Sequence, residues 1–112
     1  MKCLSVQIQP ERSPDLDNES FIDLFKKWCG KSTCVSGVDV DEGFDDGGYI
    51  NTNCMTSDLG ALWSQIRSRF YEGGDSSPGL PKASIVVCEG EHGWDDYLLL
   101  HHLDDTEELD TI

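Results

Sequence analysis

Positive charge is what this sequence has least of. Eight Lys and Arg stand against 22 Asp and Glu, a formal net charge of −14. A nucleic-acid backbone and an anionic membrane both require a cationic surface, so direct binding to either is not expected. Any apolar run approaching the ~18 residues of a membrane span is also missing. Met1 to Pro10 alternates polar and apolar residues where a secretion signal would place a basic stretch before a greasy one. A cytoplasmic protein is the expectation. Five Cys at irregular spacings form no C-x-x-C pair, and the three His form no H-x-x-x-H. Free thiols, mostly buried as small hydrophobes, are expected, with no metal and no other cofactor.

What is present is enough for one small core. The 112 residues are 38% hydrophobic and include three Trp, three Tyr and four Phe. The most apolar stretch, Lys82 to Leu103, reads as a hairpin: runs Ala83 to Cys88 and Tyr97 to Leu103 around a polar loop rich in Gly and Asp. Met1 to Gln9 has the period of two of a half-buried strand. Phe21, Leu24, Phe25 and Trp28 then mark one stripe of a helix over Asn18 to Cys29, with Asp17, Asn18 or Ser20 as the cap. Thr33 to Val40 and Tyr49 to Met55 are β-like and flank DEGFDDGG, read as a long hairpin loop that sets Cys34 close to Cys54. Leu59, Leu62, Trp63, Ile66 and Phe70 form the stripe of a second helix, capped within Thr56 to Asp58 and stopped by Gly73-Gly74. GGDSSPGLPK reads as loop.

The resulting order, β-α-β-β-α-β-β, most economically gives a two-layer α+β fold. It predicts a ferredoxin-like antiparallel sheet with two helices on one face and an added C-terminal edge strand. One domain over 1–103 is expected, followed by an acidic tail at 104–112 with little apolar content to order it. In this topology the connector into the first helix, the second-to-third-strand loop, the loop after the second helix and the tail share one end. Nearly all of the net −14 gathers there. Concentrated like charge costs stability through self-repulsion, which favours a use for the field over mere solubility.

The acidic loop does not fit an EF-hand: counting from Asp39, the twelfth position is Ile50 where a bidentate Glu is needed. Adjacent His101 and His102 point to opposite faces of a strand and cannot share a metal. A thiol enzyme built on Cys88 with His92, oriented by Asp95 or Asp96, is one alternative function; a nucleic-acid mimic acting on a DNA-handling protein is another. Trp94, in a Gly-flanked polar loop, reads either as a recognition residue or as packing over the hairpin.

The leading expectation is a non-enzymatic inhibitor, an immunity protein that occludes a cationic toxin such as a nuclease. Its candidate contacts are Asp39, Asp41, Glu42, Phe44, Asp45, Asp46 and Tyr49 of the hairpin loop, with Asp15, Asp17 and Glu19 before and at the first helix. The partner is a basic protein; oligomeric state is open.

Overall fold

The computed structural model describes residues 1–12, 16–44, 47–72, 79–104 and 106–112. Five strands, β1 (Lys2–Ile8), β2 (Gly37–Phe44), β3 (Gly48–Thr56), β4 (Ser84–Gly90) and β5 (Gly93–His101), form one open sheet in the order β2-β3-β1-β4-β5. Helices α1 (Asn18–Lys31), α2 (Leu59–Ile66) and α3 (Leu80–Ala83) complete an α+β architecture. All neighbouring strands are antiparallel, so β1, β2 and β5 run one way and β3 and β4 the other. Among the described residues, no helix is long and apolar enough to cross a membrane.

Antiparallel partners share a face, and the period of two in β1 decides which face is core. Leu4, Val6 and Ile8 lie opposite Cys54, Thr52 and Ile50 on β3 and Cys88, Val86 and Ser84 on β4. The buried cluster built on this side takes in Phe21, Phe25 and Cys29 of α1 and Leu62, Trp63 and Ile66 of α2. Both helices therefore cover the same side of the sheet.

Side-chain caps start both helices. The Asp17 carboxylate accepts the Ser20 N–H at 3.1 Å and the Ser20 hydroxyl at 2.9 Å, and these bonds hold its pKa below the usual carboxylate value. Asp58 accepts the Ala61 N–H at 3.1 Å. Each satisfies an amide that the first turn leaves without a partner.

After α2 the chain widens into a π turn, Arg67–Tyr71, closed by the Glu72 N–H on the Arg67 carbonyl at 2.8 Å. The turn leaves Phe70 in the core, with ring centroids 5.2 Å from Phe25 and 5.6 Å from both Phe21 and Trp28. Trp63 meets Tyr71 at 5.7 Å. The Ser84 hydroxyl donates to the Leu80 carbonyl at 2.7 Å, so Tyr71, 2.8 Å away, is the donor to Ser84.

Several boundaries differ from the expectation. The long loop over 41–48 is instead strand on both sides: β2 runs on to Phe44 and β3 begins at Gly48. Acids at alternate positions suit a strand whose other face is wet, which loop composition obscured. In the last hairpin β4 and β5 reach Gly90 and Gly93, leaving Glu91 and His92 as the turn, with Gly93 at φ 85°. The extra residues of β5 are absorbed by a bulge that presses the Asp96 carbonyl onto Gly90, where a Cβ would stand 1.8 Å from that oxygen. Cys54 lies opposite Val38, with its sulfur 3.7 Å from that of Cys29 and not beside Cys34; all five cysteines are free. The longer strands shift the register and leave Cys34 outside β2, where its sulfur accepts the Gln65 amide at 3.2 Å. The loop expected before the last hairpin ends in a helical turn, α3; Gly73 to Pro78 lie outside the described residues.

A candidate binding face on the uncovered side of the sheet

Residues that alternate with the core point away from the helices. On this side β1 offers Ser5 and Gln7, paired with Asn53 and Asn51 of β3 and with Val87 and Ile85 of β4. Outside β3, Asp39 and Asp41 pair with Asn53 and Asn51; outside β4, Leu99 pairs with Val87. Trp94 and Tyr97 of β5 are 46% and 58% exposed. They join Ile85, Val87 and the Ser5, Gln7, Asn51 and Asn53 side chains around a groove of about 440 Å³. The groove thus has one aromatic and aliphatic wall and one amide wall.

The amide wall is hydrogen-bonded into a chain. Gln9 receives the Arg12 guanidinium at 3.3 Å and donates to Gln7 at 3.2 Å; Gln7 donates to Asn51 at 3.2 Å. Asn51 and Asn53 then donate to the two oxygens of Asp41 at 3.0 and 2.7 Å. Two neutral donors orient this carboxylate without cancelling its charge, leaving it able to meet an incoming cation. The negative field over the face is felt at Cys3, whose thiol is pushed up to about 11 by burial first and then by Glu89, Asp39 and Asp41. Glu89 also accepts the Cys3 N–H at 3.0 Å, completing the β1 edge beyond the last β4 pair.

The structure separates the residues that sequence grouped in one loop. Asp39 and Asp41 stand on the open face of β2, whereas Glu42 pairs with Ile50 and is exposed at the sheet edge on the helix side. Phe44 ends β2 with 79% of its surface exposed, and Tyr49 folds its ring over Gly43. Asp17 is engaged as a helix cap, and Glu19 is exposed in the first turn of α1. Asp15, Asp45 and Asp46 lie outside the described residues. Glu11 approaches Gly47, so the connector and the β2–β3 turn do share an end of the sheet, apart from the groove. The groove itself went unread because Ile85 and Val87 look like core in an apolar run, and only the pairing register shows that they alternate outward.

Cys88 and His92 occupy different surroundings. Cys88 is fully buried on the helix side and burial raises its thiol, while His92 is exposed at the turn with Nδ1 3.5 Å from the Asp96 carboxylate. His101 is half-buried, its Nε2 donating to the Pro81 carbonyl at 2.9 Å and its ring centroid 4.6 Å from that of Tyr71. Among the described residues, no three His, Cys, Asp or Glu side chains are grouped to hold a metal ion. Comparison with protein-family models, curated proteins and solved structures finds no match for this chain.

Proposed function

We propose that the chain is an acidic binding protein that occludes a basic protein partner, in the manner of an immunity protein neutralising a cationic toxin such as a nuclease, and that the uncovered sheet face is its contact surface. The observation that carries this reading is the juxtaposition, on that face, of the exposed Trp94 and Tyr97 groove with the oriented carboxylate of Asp41 and its neighbour Asp39. Aromatic side chains at the rim of a partly apolar groove supply desolvated contact area, and the acids steer and align a cationic surface. The exposed Phe44 offers a further apolar contact at the far end of the sheet, and the acids there add long-range attraction. In the same reading the sheet is an edge-extended ferredoxin-like arrangement whose helices occupy one face and leave the other to the partner. Five free thiols suit action in the cytoplasm.

The test is capture of binding proteins from source lysate, identification of any basic protein held near stoichiometry, and titration of that protein against defined variants. Trp94→Ala and Tyr97→Ala are expected to weaken binding by about tenfold or more each, chiefly through faster dissociation. Asp39→Asn with Asp41→Asn is expected to slow association, while Ser64→Ala on the helix side leaves both rates unchanged. Equal binding by all variants would remove the sheet face from the interface; failure to hold any basic protein would remove the function.

A further inference from the structure

The two edges of the sheet are protected differently. An edge strand exposes unpaired N–H and C=O groups that template pairing with another chain, and charge is the usual deterrent. β2, at one edge, carries Asp39, Asp41 and Glu42. At the other edge the acids of β5, Asp95 and Asp96, stand in its first half, and its second half, Tyr97, Leu98, Leu99, Leu100, His101, has neither an acid nor a Lys. Here the chain supplies its own cover. The Leu99 N–H donates to the Asp110 carboxylate at 2.8 Å, and the Asp110 N–H donates to the Leu99 carbonyl at 2.7 Å. Asp110 thus occupies the place of a residue on a sixth strand.

The cover is lightly held. Its two apolar side chains, Leu109 and Ile112, remain 47% and 48% exposed. A cavity of about 470 Å³ persists between this segment and Trp63, Tyr71, Leu100 and His101. The approach to the segment is set by a local turn, in which Asp104 accepts the Thr106 N–H at 3.0 Å and its hydroxyl at 2.7 Å.

We propose that residues 106–112 are an edge guard, and that the surface they occupy is a self-association site for a second copy of this chain, pairing β5 to β5. A second copy fits because an antiparallel pair of identical edges is self-complementary about a two-fold axis. The exposed Tyr97 lies on the same strand. The guard opposes pairing both by filling the Leu99 hydrogen bonds and by placing Glu107, Glu108 and Asp110 at the edge.

The test uses the full chain carrying Asp110→Pro, which removes the amide donor and the carboxylate acceptor at once from an exposed position. Hydrogen exchange at the Leu99 amide and sedimentation are measured at about 0.5 M NaCl, where charge repulsion between copies is screened. Losing two hydrogen bonds is expected to speed Leu99 exchange about tenfold or more at dilute protein. Raising the concentration is expected to produce dimer in the variant and none in the parent chain. Adding Leu99→Lys to the variant puts on the pairing strand a charge that must lose its water when a second copy docks, a cost that salt does not screen, and is expected to restore the monomer. Unchanged Leu99 exchange would show that the segment does not guard the edge. A variant that stays monomeric with Leu99 deprotected, or a dimer indifferent to Leu99→Lys, would show that β5 is not the association surface.

Discussion

At the scale of single residues, the tightest constraint is at Gly90. A methyl group there would meet the Asp96 carbonyl at 1.8 Å, and backbone held in a sheet bulge cannot swing aside as a flexible side-chain end can. Gly90→Ala is therefore expected to destabilise by about 1–3 kcal/mol, read as a lower urea midpoint with an unchanged slope. His101 supplies a pH-dependent term. Burial, aided by the neighbouring His102, holds its imidazole below the ordinary 6.5, while the donor bond to Pro81 works against the shift. The unfolded chain then takes up the proton more readily than the folded one. The stability contribution is complete above pH 6.5 and is lost as the pH falls below it. His101→Gln is expected to flatten that loss, measured as urea midpoints between about pH 7.5 and 5.

At the scale of elements, the caps and the register do most to fix the arrangement. Asp58→Ala leaves the Ala61 amide without its acceptor at 3.1 Å and is expected to cost about 1 kcal/mol in thermal unfolding. Both helical stripes were legible in the sequence, since Phe21, Phe25, Leu62 and Ile66 are all core, whereas each cap was legible only as one of three candidates, Asp17 beside Asn18 and Ser20, and Asp58 beside Thr56 and Ser57. The five strands were legible too, but their ends were not. Gly43 and the acids of β2 imitate a loop, and the four β5 residues from Gly93 to Asp96 lie behind the bulge in a turn-like composition. The candidate site suffered most from this. Asp39 and Asp41 were recognised as acids of interest, yet their position on an open sheet face follows only from which residues of β1, β3 and β4 they align with. The extra π-turn residue and the pairing of Asp110 with Leu99 depend on packing that no local pattern announces.

At the scale of the whole molecule, the net charge of −14 acts on two properties in opposite directions. Self-repulsion lowers the stability of the folded chain, and salt relieves it. Raising NaCl from about 0.02 to 0.5 M, which shortens the screening length to about 4 Å, is expected to raise the melting midpoint. An increase of about 4 °C corresponds to a gain on the order of 1 kcal/mol. The same addition is expected to slow association with a basic partner, by about tenfold or more where steering dominates. A partner whose association rate ignores salt would not be recognised through this field.

The three tryptophans are divided between the two sides of the sheet. Trp28 and Trp63 stand in the helix layer, against Phe70 and Tyr71 respectively, while Trp94 stands on the open face. Intrinsic fluorescence consequently contains two separable reporters. Emission from the helix-layer pair changes when the core opens, whereas Trp94, already half in water, responds to whatever covers the open face. A Trp94→Phe protein isolates the unfolding signal, and subtracting its spectrum from that of the parent chain leaves an optical record of occupancy at the groove, with no label attached.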